Sequence, residues 1–171
     1  MKVREALARR RVPLGFVAAA ATLLLARPTW RSWLVGLSVA LVGEAFRVWA
    51  AGHLEKSREV TRSGPYRFTR HPLYVGSTVL AIGIVIASRS SIVAAIAAVY
   101  MATTIVAAIR TEEAFLRQAF GAAYDDYRAA RSEPMDRRFS FGRAMRNREY
   151  RAIAGLLAGF ALLALKMSAP L

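Results

Sequence analysis

The sequence predicts an all-α membrane protein, a bundle of about five transmembrane helices with amphipathic helical arms on the cytoplasmic side. Hydrophobic residues make up 56% of the 171 residues, and only 21% are charged. Ordinary soluble domains are roughly 45–50% apolar. The charges here are separated by long apolar blocks, and Lys and Arg concentrate in alternate connections between those blocks. We read residues 1–171 as a single integral membrane domain.

Five apolar blocks are the candidate membrane segments. In order they are residues 12–26, 33–51, 73–88, 91–109 and 152–165. A transmembrane helix needs about 17–25 residues, so the second and fourth blocks span unaided and the others need a thinned bilayer or snorkelling flanks. The first block follows a basic start and could be a signal-peptide core. Arg27 and Pro28 follow it instead of small residues at a cleavage site, so we expect it to remain as a helix.

The distribution of basic residues predicts the orientation of the bundle. The N-terminal tail carries five, the connection 52–72 carries five and the connection 110–151 carries ten, whereas the connections on the other side carry four. Cytoplasmic connections are enriched in Lys and Arg. We therefore expect the N-terminus and both long connections in the cytoplasm, in the inner or plasma membrane of a bacterium, with the basic connections against lipid head groups.

Several classes of site and partner are excluded by composition. The chain has no Cys, which excludes disulfides, cysteine ligands and a cysteine nucleophile. It has two His, so we expect no metal site. A formal net charge of +14 would point to nucleic acid in a soluble protein, but the apolar blocks indicate the lipid bilayer as the partner, and we expect no nucleic acid.

Glu44 and Arg47 lie inside the second block, three residues apart and so on one helical face. Each would cost about 2.5–3.5 kcal/mol at the bilayer centre, so both must face protein or a polar cavity. Two interpretations stay open, a structural ion pair within the helix and the wall of a cavity for a polar ligand.

The run 62–76 contains the entry into the third apolar block. Gly64 and Pro65 predict a turn, and Pro72 is well placed as the first residue of a helix. Arg70 and His71 then lie at a helix N-terminus, where free N–H groups favour an anion. Tyr74 and Gly76 follow within two turns and could accommodate a ligand with a carboxylate or phosphate.

A second polar run follows the fourth block, from Arg110 through Glu112 and Glu113. Apolar and aromatic residues recur at helical spacing up to Tyr124, so we expect the fourth helix to continue beyond the bilayer as an amphipathic arm. The two glutamates point about 100° apart on a helix, so at most one faces the same point as Arg110. A solvated acidic pair remains the alternative.

Together the two runs resemble the integral membrane methyltransferase family that contains isoprenylcysteine carboxyl methyltransferases and phospholipid N-methyltransferases. The likeness covers roughly residues 44–134. The matching motifs are Arg47-Val48-Trp49-Ala50, Gly64-Pro65-Tyr66, Arg70-His71-Pro72-Leu73-Tyr74-Val75-Gly76, Glu112-Glu113-Ala114-Phe115-Leu116 and Phe120-Gly121-Ala122-Ala123-Tyr124-Asp125-Asp126-Tyr127.

The resemblance implies methyl transfer from S-adenosylmethionine, with S-adenosylhomocysteine as product, in a pocket facing the cytoplasm. Arg70 or His71 suits the donor carboxylate, and Glu112 or Glu113 suits its ammonium or ribose. Either of two tyrosines could cover the adenine or the sulfonium cation. The candidate cofactor-binding residues are Tyr66, His71, Tyr74, Gly76 and Glu112.

The resemblance also implies a lipophilic acceptor at the cytoplasmic membrane face, most similar to that of the isoprenylcysteine carboxyl methyltransferases. Arg70 and Arg110 are then the candidates that orient an acceptor carboxylate, with Glu113 as their organiser. For an amine acceptor, as in phospholipid N-methyltransferases, Glu113 would be the general base. An NADPH-dependent membrane reductase of the sterol reductase type and a non-catalytic basic membrane protein are the other classes left open.

Overall fold

The structure is a computed structural model that describes residues 15–168, and its regular secondary structure in that range is entirely helical. Three helices are long and apolar enough to cross a membrane, and two more are apolar but shorter. The protein is therefore an all-helical integral membrane protein. The helices are α1 (Gly15–Leu25), α2 (Trp30–Ala51), α3 (Pro72–Ser88), α4 (Ser91–Phe120), α5 (Ala122–Arg128), α6 (Phe141–Arg146) and α7 (Tyr150–Ser168), with a 3₁₀ helix at Gly64–Arg67.

All five predicted apolar blocks overlap helices, with the start of the first block and the basic N-terminal tail lying outside the described residues. The helices long enough to span a membrane are α2, α4 and α7. The last apolar block therefore belongs to a helix of spanning length, which the sequence did not predict. Helix α7 begins at Tyr150, two residues before the predicted block, and ends at Ser168, three residues after it. The extension consists of Tyr150 and Arg151 at the start and Lys166, Met167 and Ser168 at the end, and none of these residue types stops a helix.

Local sequence signals set the helix boundaries. Thr29 caps α2, and Ser32 bonds back to the Thr29 N–H to complete a capping box. Pro72 is the first residue of α3 and His71 is its N-cap, which confirms the predicted entry at this point. Arg89 ends α3 with a φ of 49°, and the Ser90 side chain then caps α4.

Helices α2 and α3 pack closely because glycines face each other along their interface. A Cβ atom on Gly43 would lie 2.5 Å from the Leu80 nitrogen, and one on Gly83 would lie 2.5 Å from the Gly36 oxygen. Small residues allow this backbone approach, which replaces the hydrophobic driving force that lipid does not supply between helices. The pair α2–α3 is thus the rigid centre of the molecule.

Helix α7 packs against α2 through an aromatic contact. The Trp33 indole N–H donates to the Phe160 carbonyl at 2.8 Å, and the two rings form an edge-to-face pair. Near the C-terminal end of α7, the Lys166 ammonium donates to the carbonyls of Leu23 and Leu24 at 2.7 and 2.9 Å. These bonds satisfy the last carbonyls of α1, which no turn of helix follows.

The charges inside α2 form an ion-pair network with Glu149, the residue just before α7. Arg47 Nη2 lies 2.5 Å from a Glu149 carboxylate oxygen, and Arg47 Nε lies 3.5 Å from Glu44. Arg47 also donates to the Ser77 hydroxyl on α3. Both carboxylates are about 95% buried, and Arg47 lines no described cavity. The ion-pair interpretation is therefore the one the structure adopts, with a partner that the sequence did not indicate.

Helix α4 stands apart from the α2–α3 pair and buries only Val93. It continues as a helix past residue 109 to Phe120, as its spacing predicted. Gly121, with a φ of 49°, then reverses the chain into α5, so that Tyr127 reaches the 3₁₀ helix. The separation of α4 from α3 leaves a cavity between them.

We predict that Gly83→Ala destabilises the protein by about 1–3 kcal/mol, because the added methyl overpacks the α2–α3 contact. Gly155→Ala on α7 is the matched control, since a Cβ there meets nothing within 4 Å. The control should gain slightly, because Ala favours helix over Gly. Thermal unfolding in detergent compares the two variants, and equal stabilities would contradict this account of the interface.

Candidate active site

A cavity of about 480 Å³ lies between the start of α3, the inner part of α4 and the loop that follows α2. The α3 end contributes Arg70, His71 and Tyr74, and α4 contributes Glu112. This volume lies within the range of about 300–1,000 Å³ typical of small-molecule sites. The two polar runs identified in the sequence therefore meet at one cavity, although a membrane hairpin separates them along the chain.

Glu113 joins the start of α3 to the inner end of α4. Its Oε1 atom lies 3.0 Å from Arg70 Nη1 and 3.2 Å from His71 Nε2. Glu113 does not itself line the cavity, whereas both of its partners do. Glu113 therefore fixes the positions of two cationic or polar groups that a ligand in the cavity would touch.

Glu112 points from the same helix into the cavity. Its Oε2 atom lies 3.8 Å from His71 Nδ1, which is longer than a hydrogen bond. The Nδ1 atom is buried and has no hydrogen-bond partner within residues 15–168. Buried polar atoms are normally satisfied, so this nitrogen and the carboxylate beside it are available to a bound ligand.

Tyr66 and Tyr74 contribute aromatic rings to the lining of the cavity. Tyr66 is 7% exposed, and its carbonyl accepts a 2.7 Å hydrogen bond from the Tyr127 hydroxyl on α5. This bond attaches α5 to the 3₁₀ helix that precedes α3. The Tyr74 ring centroid lies 5.8 Å from the His71 ring. The cavity thus has two aromatic faces next to its charged end.

The surroundings of the titratable groups shift their pKa values in different directions. Burial lowers the pKa of His71, but the negative charges of Glu112 and Glu113 and the hydrogen bond to Glu113 outweigh it and raise that pKa above the ordinary 6.5. Burial is also the main cause that raises the pKa of Tyr127 to about 12. Burial and the charges of Arg143, Arg137 and Arg67 lower the pKa of His53.

Two predicted site residues lie away from the cavity. Gly76 packs against α2, where a Cβ would lie 2.6 Å from the Arg47 Cγ atom and 2.8 Å from the Gly43 oxygen. Its missing side chain thus serves helix packing, and no ligand approaches its backbone from the cavity. Arg110 is exposed and does not line the cavity either. One helical turn separates it from Glu113, and its exposed side chain extends away from the cavity.

The loop 54–61 forms a wall of the cavity that the sequence analysis did not predict. Two arginines from the C-terminal part of the chain hold this loop. Arg137 pairs with Glu59 through bonds of 2.5 and 2.7 Å, and Arg143 Nε donates to Glu55 at 2.7 Å. Glu55 and Glu59, two acidic residues in a basic loop, were a signal for such pairing. Their partners, however, lie 88 and 78 residues further along the chain.

Arg143 lies on the short helix α6, which precedes α7. Its side chain donates to Glu55 and to the Gly52 carbonyl, and it is only 15% exposed. Asn147 reinforces the contact by donating to the carbonyls of Ala51 and Leu54. The segment that enters α7 therefore closes the end of α2, because the last carbonyls of that helix need donors.

The membrane side of the cavity is lined by small side chains on α4. Thr103, Thr104, Ala107, Ala108 and Thr111 all face it. Both Thr104 and Thr111 donate their hydroxyls back to carbonyls of their own helix, so they present methyl groups. The cavity therefore passes from a charged end to an apolar end in the direction of the bilayer.

Comparisons with known proteins give one family and two relatives. Residues 17–123 match the family described as phospholipid methyltransferase. The chain is 38% identical over 89 residues to the cobalt-zinc-cadmium resistance protein CzcN of Cupriavidus metallidurans, covering 51% of this chain and 40% of that protein. It is also 38% identical over 96 residues to the nickel-cobalt-cadmium resistance protein NccN of Alcaligenes xylosoxydans xylosoxydans, covering 55% and 43%.

The chain thus spans less than half the length of these two relatives. No solved structure matches it. Within residues 15–168, no group of three or more His, Cys, Asp or Glu side chains could hold a metal ion.

We predict that the two histidines titrate on opposite sides of pH 6.5, with His71 above and His53 below. Because the His71 pKa is raised by folding, its contribution to stability is complete below 6.5 and is lost as pH rises through the folded-state pKa. NMR of labelled histidine in micelles measures both midpoints.

Glu113→Gln should lower the His71 midpoint and leave the His53 midpoint in place, since only His71 contacts residue 113. The Arg58→Gln variant removes a charge from an exposed site outside the cavity and is the control. A His71 midpoint that ignores Glu113→Gln would contradict the contact.

Proposed function

The chain belongs to the phospholipid methyltransferase family, and on this premise we propose that it transfers a methyl group from S-adenosylmethionine to a lipophilic acceptor. The observation that carries the proposal is that Arg70, His71 and Glu112 line one cavity together with Tyr66 and Tyr74. Each charged or polar part of the donor has a complementary group there. The apolar end of the same cavity offers a path for an acceptor from the bilayer.

The residues present fit the donor. The cavity volume suits a nucleoside with an amino acid side arm. The buried Nδ1 atom of His71 lacks a hydrogen-bond partner and lies beside the Glu112 carboxylate. An unpaired polar atom in a cavity is costly unless a ligand or water satisfies it. We assign this end of the cavity to the donor's polar groups.

Each residue then has a binding or orienting role. Arg70 or His71 binds the donor carboxylate, and Glu112 binds the ammonium or a ribose hydroxyl. Tyr66 and Tyr74 provide aromatic faces for the adenine or the sulfonium. The bound donor supplies an electrophilic methyl group on that sulfonium. The protein contributes alignment and exclusion of water, and no protein nucleophile is required.

The acceptor is most similar, in this proposal, to that of the isoprenylcysteine carboxyl methyltransferases. Arg70 would orient a carboxylate at the boundary between the charged and apolar ends of the cavity. Glu113 already contacts Arg70 and His71 through one oxygen, which favours its role as organiser. Arg110, being exposed and outside the cavity, keeps its predicted role only if α4 rotates.

Phospholipid N-methylation is the second candidate, and the family description favours it. The acceptor would then be an amine, and Glu113 would be the general base. That role requires Glu113 to reach into the cavity, which it does not line in this structure.

We place the cavity at the cytoplasmic face, with five membrane helices and the N-terminus inside. The support is the excess of Lys and Arg in the connections 52–72 and 110–151, which carry the cavity's charged residues. Helices α1 and α3 cross in this arrangement despite their length, with α3 held inside the bundle by α2.

S-adenosylhomocysteine should raise the unfolding temperature of the detergent-solubilised protein, whereas NADPH should not. A ligand at 100 times its Kd stabilises the fold by about 2.7 kcal/mol. Arg70→Gln should weaken this binding about tenfold or more, since a hydrogen bond to a charged group is lost. The Arg89→Gln variant, on the connection between α3 and α4, is the control.

Stabilisation by NADPH in place of S-adenosylhomocysteine would replace the methyltransferase with a reductase. Stabilisation by neither ligand would leave a non-catalytic basic membrane protein. An equal loss in Arg70→Gln and Arg89→Gln would reject the assignment of the charged end.

Incubation with radiolabelled S-adenosylmethionine and a total lipid extract should label a lipophilic fraction. Label that base releases as methanol indicates a methyl ester and the carboxyl methyltransferase branch. Label retained on a phospholipid head group through base treatment indicates N-methylation. Label confined to water-soluble compounds would contradict a lipophilic acceptor.

A further inference from the structure

A second cavity of about 450 Å³ lies on the other side of Tyr66, Arg70 and Tyr127, which line both cavities. Its own lining adds Arg62, Arg67 and Arg128, together with the hydroxyls of Thr69 and Ser132. No carboxylate lines it. We call the site formed by Arg62, Arg67, Arg70 and Arg128 the basic groove.

Two arginines of the basic groove have no counter-ion in the described part of the chain. The side chains of Arg62 and Arg128 form no ion pair or hydrogen bond within residues 15–168, and Arg67 donates only to the Met135 carbonyl. Nearby arginines differ, since Arg117 pairs with Asp125 and Arg131 pairs with Asp126. Of the four groove arginines only Arg70 has a carboxylate partner, Glu113, so the groove keeps a net positive charge.

The groove lies where the chain enters the membrane. Phe68, on its rim, is 83% exposed and stands between Arg67 and Arg70. Pro72, four residues later, begins the apolar helix α3. An exposed aromatic ring flanked by basic side chains at the start of a membrane helix is suited to the boundary between acyl chains and head groups.

We propose that the basic groove binds the head group of an anionic phospholipid, with Phe68 in contact with its acyl chains. Arginine guanidinium groups bind phosphate through two parallel hydrogen bonds, and the hydroxyls of Thr69 and Ser132 add donors. The methyl donor carries a sulfonium and an ammonium, so it is better matched by the first cavity with its Glu112 carboxylate. This site is separate from the proposed methyl transfer and does not depend on it.

The test compares lipid adducts by native mass spectrometry of the full chain released from detergent. Phosphatidylglycerol should be retained in preference to phosphatidylcholine with the same acyl chains. The double variant Arg62→Gln/Arg128→Gln should lose this preference, because each basic residue near the surface contributes about fivefold in affinity. Phe68→Ala should weaken retention of the lipid without abolishing the preference for the anionic head group.

The matched control is Arg58→Gln/Arg138→Gln, which removes the same charge from exposed positions that line neither cavity. It should retain phosphatidylglycerol as the unmodified chain does. An equal loss in both double variants would mean a diffuse charge effect and would overturn the site.

Two further measurements separate the source of the ligand and the identity of the site. The deacylated head group, glycerophosphoglycerol, should compete poorly, and equal binding of that soluble compound would overturn a membrane lipid as the occupant. S-adenosylhomocysteine should still stabilise Arg62→Gln/Arg128→Gln. Loss of that stabilisation together with the lipid adduct would assign the groove to the donor site and reject the proposal.

Discussion

The Glu113 carboxylate is the contact on which the site depends. One of its oxygens meets both Arg70 and His71, so the C-terminal half of α4 is attached to the two residues that precede α3. Helix α4 otherwise buries only Val93, and few other contacts hold it beside α3. A partly buried, charge-assisted pair therefore substitutes for apolar packing, and it leaves an open cavity where packing would have filled the space.

This arrangement requires that α3 itself does not move. Its glycines at 76 and 83 allow α2 to approach at backbone distance, and Arg47 connects α2 to Ser77 and Glu149. Removing one partner from such a buried ion pair leaves an uncompensated charge, so the network resists rearrangement. The rigid pair α2–α3 presents Arg70 and His71, while α4 and the loop 54–61 form the other walls of the cavity.

Charge is divided between the two cavities in a way that matches different ligands. The first has Glu112 beside Arg70 and His71 and suits a molecule with charges of both signs. The basic groove has arginines alone and suits an anion. The two share the Arg70 side chain, the Tyr66 ring and the Tyr127 ring. In our proposals the methyl donor and the lipid bind on adjacent sides of these three shared residues.

The sequence by itself determined the helical class, the apolar blocks, the turn at Gly64 and Pro65, the helix start at Pro72 and the two polar runs, because these follow from local backbone preferences and from the cost of charge in lipid. Only the tertiary structure decided which side chains reach the cavity: Glu112 lines it, whereas Glu113 and Arg110 do not. It also decided that Gly76 packs against α2. Finally, it decided that Arg137 and Arg143 hold the loop 54–61. Those choices depend on the rotation of each helix about its axis and on contacts between residues far apart along the chain, which periodicity in a single sequence does not specify.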